Sequence, residues 1–290
     1  MGKKGKKAQA GKPKKLTPKD VGKRLGVLAK KLEEETKGAD LFAPLPPTED
    51  CAICLVPLPF VKSETYYQPC CGNDICKACY RENEASINKQ NDEKNTSKKI
   101  IFTCPFCREL EPTNGLEYLR QLQARCLQND HHAFRLMGGL YREGLNGAPK
   151  DDLKALDCWI RAIELGSPAA CVSIGNCYDK GEIGAIDKER AALFEEIGAL
   201  RGDLKARHNI GCSEYNNFGH YEVGIRHWKI AAEAGYQISL NALKVIYNAD
   251  GKMPGKEFIT KEYLESTYRA CHEAQLDVAS EEREKHREEE

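Results

Sequence analysis

Fourteen cysteines stand in this 290-residue chain, and eight of them fall between positions 51 and 107. Their order is Cys51-x2-Cys54, the adjacent pair Cys70-Cys71, Cys76-x2-Cys79, and Cys104-x2-Cys107. The chain opens Met1-Gly2-Lys3-Lys4 with no apolar core to follow, and it has no run of 18 or more apolar residues, so neither a secretory signal nor a spanning helix is expected. In a reducing intracellular compartment such crowding argues for metal rather than for disulfides. Two residues between thiolates let a tight turn aim both sulfurs at one ion, and a second pair completes a tetrahedral zinc site. Eight thiols therefore make two zinc sites. Cys126, Cys158, Cys171, Cys177, Cys212 and Cys271 are scattered through helical-looking sequence and read as small buried thiols.

Residues 49–112 resemble a RING-type zinc finger with an all-cysteine ligand set, since no histidine lies between 51 and 107. The details that carry the resemblance are Ile53 before the second ligand and the run Cys104-Pro105-Phe106-Cys107-Arg108. The resemblance implies a cross-braced ligand order. Cys51, Cys54, Cys76 and Cys79 would hold one zinc ion, and Cys70, Cys71, Cys104 and Cys107 the other. It also implies that Ile53, Pro105 and Arg108 contact a ubiquitin-conjugating enzyme and its ubiquitin, with no covalent intermediate on the finger itself. Two features depart from the pattern. Cys70 and Cys71 are adjacent, and successive side chains tend to point apart; Gly72 offers a turn that would reunite them, with Asp74 the nearest oxygen able to stand in for one. No tryptophan lies between Cys79 and Cys104, where many active fingers carry one. The polar stretch 88–99 reads as a surface loop, followed by the strand-like Lys99-Ile100-Ile101-Phe102-Thr103.

Beyond the last cysteine pair the chain repeats itself. Ala133/Met137/Gly138/Tyr141 and Ala170/Ile174/Gly175/Tyr178 share one spacing, and Ala206/Ile210/Gly211 matches it in part, with Glu214 where Tyr is expected and Tyr215 beside it. A second pattern runs Ala155/Trp159/Ala162/Gly166, Ala191/Glu195/Gly198/Gly202 and Gly224/Trp228/Ala231/Gly235. Its offsets put small residues and one large residue on a single helical face, so two helices pack closely in each repeat. The glycine ending each second helix suits a left-handed cap, and Asp151 and Asp187 sit where N-caps belong. A period of 36 to 37 residues built from two helices is a solenoid of helical hairpins. It resembles the SEL-like repeat, a relative of the tetratricopeptide repeat, from about 115 to 285, with a degenerate fourth unit (Ser239/Leu243/Tyr247) and a closing helix from Tyr263 to Lys285. The fold class is therefore mainly α, a small two-zinc α+β finger followed by an α-helical solenoid. The order of parts resembles RING-and-repeat proteins of algae and related protists.

The formal net charge of zero conceals a segregation, because residues 1–38 hold 13 Lys/Arg against 4 Asp/Glu while residues 277–290 hold 3 against 7. Residues 1–45 read as a basic arm, largely disordered, with an amphipathic helix near 17–36 that starts at Thr17-Pro18 and carries Val21, Leu25, Leu28 and Leu32 as an apolar stripe. That helix docks on something, inside the chain or outside it. Lysine clusters in the arm suit nuclear import or weak nucleic-acid contact, though no aromatics are interleaved to stack on bases. Residues 286–290 are an acidic tail. The seven histidines (His131, His132, His208, His220, His227, His272, His286) show no metal spacing and read as surface or capping residues. Two functions compete: an intracellular ubiquitin ligase of cytoplasm or nucleus, whose repeats recruit a protein substrate, and a non-catalytic zinc-stapled interaction scaffold. No membrane partner is expected.

Overall fold

A computed structural model describes residues 16–61, 64–94, 102–249 and 253–276. In chain order its helices are α1 (Pro18–Thr36), α2 (Lys77–Lys94), α3 (Gly115–Cys126), α4 (His131–Glu143), α5 (Asp152–Glu164), α6 (Pro168–Asp179), α7 (Lys188–Leu200), α8 (Leu204–Ser213), α9 (Tyr221–Glu233), α10 (Gln237–Asn248) and α11 (Lys261–Leu276). Two short strands, β1 (Thr65–Tyr67) and β2 (Asp74–Cys76), pair antiparallel with Tyr66 opposite Ile75. No helix among the described residues is long and apolar enough to cross a membrane.

The repeats form because each first helix carries a glycine where its partner carries a bulky side chain. A Cβ on Gly138 would lie 2.3 Å from Nε1 of Trp159, so the indole of α5 lies directly on the α4 backbone and donates to the Arg135 carbonyl at 3.2 Å. The same device recurs two hairpins further on, where Trp228 covers Gly211 and donates to the His208 carbonyl at 3.1 Å. In the middle hairpin Gly175 faces Glu195 instead, and that carboxylate accepts from Asn209 at 3.0 Å. The caps agree with the sequence pattern: Asp151 and Asp187 accept from the amides of Lys154 and Arg190, and Gly166, Gly202 and Gly235 take φ of +99°, +90° and +94°.

One register shift accounts for the imperfect third repeat. Residues Glu214–Phe218 form a π-helical turn, which inserts an extra residue and rotates Tyr215 rather than Glu214 into the interior. Tyr215 packs 5.1 Å from Trp228 and donates to the Pro254 carbonyl at 2.5 Å.

The docking partner of α1 is the chain's own solenoid. Val21, Leu25, Leu28 and Leu32 are buried against α5 and α7 in one cluster with Ile160, Ile163 and Phe194. Thr17 caps this helix by accepting from the Asp20 amide at 3.2 Å, and Arg24 pairs with Asp157. The chain after α1 is strapped down as well, since Arg207 donates to the Leu41 carbonyl at 2.5 Å and Phe42 lies between His227 and Arg226. Residues 1–15 and the acidic tail 286–290 lie outside the described residues, as do positions 277–285 of the expected closing helix.

Two expectations are corrected by the structure. The stretch 88–94 is not a loop, because α2 continues through Lys94, and the segment 77–94 holds no glycine or proline to stop it; positions 95–99 of the expected loop and 99–101 of the expected strand-like run lie outside the described residues. The histidines are not uniformly superficial either. His227 is 1% exposed beneath Phe42, and His132 stands in the contact between finger and repeats.

Candidate metal centre

Two knuckles of the finger have the same backbone. In the first, the Cys51 amide donates to the Val56 carbonyl and the Leu55 amide to the Cys51 carbonyl, both at 2.9 Å. In the last, the Cys104 amide donates to the Glu109 carbonyl at 2.8 Å and the Arg108 amide to the Cys104 carbonyl at 3.0 Å. Each knuckle is closed by one isolated bridge, Asp50 with Pro57 and Thr103 with Leu110. The residue after each second cysteine must then turn left-handed, and Leu55 (φ 57°) and Arg108 (φ 63°) both do so. The knuckle at Cys76 and Cys79 is built differently. Cys76 ends β2 and Cys79 sits in the first turn of α2, where the Cys79 amide donates to the Cys76 sulfur at 3.5 Å.

The eight sulfurs gather into two tetrads, Cys51/Cys54/Cys76/Cys79 and Cys70/Cys71/Cys104/Cys107, each with all four Sγ atoms within 4.8 Å of one another. The interleaving matters because neither tetrad uses consecutive knuckles, so holding one ion ties residue 51 to residue 79 and the other ties 70 to 107. Sulfur separations are 3.9 Å for Cys54 and Cys76, 3.9 Å for Cys71 and Cys104, and 3.4 Å for Cys70 and Cys107. Four thiolates on a tetrahedral ion at zinc–sulfur length stand about 3.8 Å apart, so the donor set fits such an ion. The adjacent cysteines both join the second tetrad. Gly72 at φ +81° makes the turn, and its amide donates to the Gln68 carbonyl at 2.7 Å. Asp74 takes no part; its carboxylate lies 3.2 Å from His132 Nε2.

Electrostatics prepare the thiols of the two tetrads unequally. Hydrogen bonds from Cys76 and Cys79 hold the Cys51 thiol far below its ordinary range, whereas burial pushes the thiols of Cys54, Cys70 and Cys104 up. An ion must therefore displace protons from several reluctant thiols, which makes its retention acid-sensitive. The six other cysteines behave as packing groups: burial pushes Cys126, Cys158, Cys171 and Cys177 up to about 12.

Of the three residues singled out beside the ligands, Arg108 is exposed, Ile53 is half-buried against Cys51, Leu58 and Ile75, and Pro105 is buried. Pro105 shapes the last knuckle and offers no surface for contact. Sequence reasoning missed the apolar rim that is exposed: Leu55, Phe106 and Leu110 are 71%, 49% and 46% accessible. It also missed the seam between finger and repeats. Tyr67 of β1 donates to Asp130 at 2.7 Å, Arg125 pairs with that same carboxylate at 3.0 Å, and the ring of His132 stacks on Tyr67 at 5.4 Å.

No family model matches the chain, and neither does any curated protein. Solved structures of helical-repeat proteins do resemble it. A Sel1 repeat protein from Oxalobacter formigenes is 28% identical with a TM-score of 0.46, covering 55% of this chain and 64% of that one. The protein c5321, described as a protective antigen of uropathogenic Escherichia coli with an SLR fold, is 15% identical with a TM-score of 0.45, covering 84% of this chain and 48% of its own. This chain thus spans less than two thirds of either neighbour's length.

Proposed function

We propose that the protein is an intracellular RING-type ubiquitin ligase whose two tetrads hold zinc and whose SEL-like repeats recruit a protein substrate. The observation that supports this reading best is the interleaved pairing of eight thiols with an exposed apolar rim beside it. Cys51, Cys54, Cys76 and Cys79 would take one ion, and Cys70, Cys71, Cys104 and Cys107 the other, as structural staples without an open coordination position. Leu55, Phe106 and Ile53 would dock the conjugating enzyme, an apolar anchor being worth most at an interface centre. Arg108, held by a left-handed backbone at the knuckle tip, would touch ubiquitin and restrict the charged thioester toward attack by a substrate lysine.

Single-turnover discharge of ubiquitin from a panel of charged conjugating enzymes to free lysine tests this. Wild type should accelerate it with at least one enzyme; Leu55→Ala should weaken that enzyme's binding, and Arg108→Ala should slow discharge while leaving binding nearly unchanged. The polar helix α2, which brings no tryptophan to the finger's surface, supports the second reading, a non-catalytic scaffold. That reading takes over if no enzyme in the panel is accelerated.

A further inference from the structure

The two tetrads differ in how far solvent reaches their sulfurs. In the first, Cys51, Cys76 and Cys79 are buried and Cys54 is half-buried. In the second only Cys104 is buried; Cys70 and Cys71 are half-buried, and Cys107 is exposed at the last knuckle between the exposed Phe106 and Arg108. A thiolate held on zinc keeps a nucleophilic sulfur, and its attack on an oxidant follows thiolate character and access. Access singles out Cys107.

A second sulfur is placed to complete such a reaction. Cys70 Sγ lies 3.4 Å from Cys107 Sγ, closer than the 3.9 Å between Cys71 and Cys104. Cys71 is engaged by Asn73, whose side-chain amide donates to its sulfur at 3.5 Å, and Cys104 is buried. Closing a disulfide from the Cys70–Cys107 separation asks for a shift of roughly 1 Å. The pair also adjoins the seam with the repeats. Cys70 and Cys71 lie in the turn 68–73, where the amides of Cys71 and Gly72 donate to the Gln68 carbonyl at 3.3 and 2.7 Å. The Arg125 guanidinium covers this turn so closely that a Cβ on Gly72 would overlap it, and Arg125 shares Asp130 with Tyr67. An ion in the second tetrad therefore stiffens the surface on which finger and repeats meet, whereas no ligand of the first tetrad lies in this turn.

We infer that the second tetrad is a site of oxidation by hydroperoxides, with Cys107 attacked first and Cys70 resolving it. Cys107 Sγ attacks one peroxide oxygen; the S–O bond forms as the O–O bond breaks, and the departing hydroxide takes a proton and leaves as water. Cys70 Sγ then attacks the Cys107 sulfur. The S–S bond forms as the S–O bond breaks, and the second hydroxide leaves, protonated, as water. Two electrons pass from the sulfurs to the peroxide. The zinc ion loses two of its four ligands and departs, while the first tetrad keeps its own.

The inference rests on the reading of both tetrads as zinc sites and uses no ubiquitin machinery. Native mass spectrometry of the reduced full chain, stepped with hydrogen peroxide, tests it. A one-zinc species should accumulate before the zinc-free one, and peptide mapping should find it with Cys70 joined to Cys107 and the first tetrad still reduced. At that stage hydrogen exchange should quicken at the Cys71 and Gly72 amides and hold steady at the Cys51 amide, which belongs to the first knuckle. Cys107→His keeps a zinc ligand that forms no disulfide, so it should bind two ions and lose the second at least tenfold more slowly. Should that variant fail to bind two, pulse labelling of wild type with N-ethylmaleimide reads the same order, Cys107 reacting at least tenfold faster than any thiol of the first tetrad. Loss of both ions together, a disulfide within the first tetrad, undiminished loss in a two-zinc Cys107→His, or slower labelling of Cys107 would each overturn the inference. A reduced chain carrying fewer than two zinc ions sinks the zinc reading itself, and the inference with it.

Discussion

The finger and the hairpins fill their interiors in opposite ways. In the finger's main buried cluster, three of the five residues, Cys51, Cys76 and Cys79, are also candidate ligands beside Leu58 and Ile75, and a further candidate, Cys104, is fully buried outside it. A domain this small buries too little apolar surface to stand alone. The hairpins instead bury aliphatic and aromatic side chains of α1 and α5–α7 in one cluster and of α8–α11 in another, with no ligand set among them. The difference bears on how each part can change. Where the atoms that bind an ion are the atoms that hold the fold, neither can vary alone; where packing residues and surface residues are separate, the surface can vary while the fold persists.

The largest expected effect breaks the two regions apart. Metal removal by a strong chelator, or Cys104→Ser, should unfold the finger because ion binding and folding are coupled there. The repeats should keep their helical circular dichroism, since each hairpin is stabilised by its neighbours. Native mass spectrometry should find two zinc ions per chain in wild type and fewer in Cys104→Ser. Loss of repeat helicity on chelation would mean that the seam at Tyr67, Asp130 and His132 makes one cooperative unit of both.

The next effect attacks the hairpins and should spare the finger. Trp159 and Trp228 are 6% and 4% exposed, each lying on a glycine of the preceding helix. Either residue changed to Ala should cost about 3–5 kcal/mol in urea unfolding. The chain holds two tryptophans, so in each variant the remaining one reports fluorescence from the repeats alone. Metal content should not move.

How legible each region is in the sequence depends on the same contrast. Cysteine spacing makes the ligands visible, because a tetrahedral ion tolerates few separations, and the caps at Asp151, Asp187 and Gly166 are visible because each meets a local backbone demand. The extra residue at Glu214–Phe218 leaves a trace as the neighbouring Tyr215, but nothing local shows that a π turn absorbs it. The helix from Asn88 to Lys94 is hidden because its polarity suggests irregularity, although no breaker is present. The seam is invisible. Tyr67, Asp130 and His132 acquire their roles only when a strand of the finger meets α4, a long-range event that no periodicity records.

A pH titration sharpens the comparison within the repeats. Burial, with Arg207 and Arg226 adding repulsion, lowers His227 to about 4 from its ordinary 6.5, so its share of stability is present above 6.5 and lost as pH falls toward 4. Glu195 runs the other way. Burial raises it to about 7 from 4.5, so its share is present below 4.5 and lost as pH rises toward 7. Each slope amounts to roughly 3 kcal/mol over its full range, and together they should nearly cancel between pH 4.5 and 6.5. Glu195→Gln should therefore leave stability rising with pH across that window, and His227→Phe should leave it falling. Tryptophan fluorescence in urea at stepped pH reads both.

The smallest effect decides which region owns α1. Its stripe is buried on α5 and α7, yet only a strap of residues 37–48 joins it to the finger, so its stability should track the hairpins and ignore the metal. Thr17 caps it with a single hydrogen bond from the Asp20 amide, and its own hydroxyl donates back to the Asp20 carboxylate at 2.6 Å. Thr17→Ala should cost about 1 kcal/mol, too little to unfold the hairpins but enough to speed amide exchange in the first turns of α1. Leu25, 1% exposed at the centre of the stripe, should cost about 2–5 kcal/mol when changed to Ala. In both variants exchange should quicken in α1 and in the facing turns of α5 and α7, and chelation should add nothing to it. If chelation alone loosens α1, the helix belongs to the finger's cooperative unit, and the boundary between the two regions lies within the solenoid rather than at the seam.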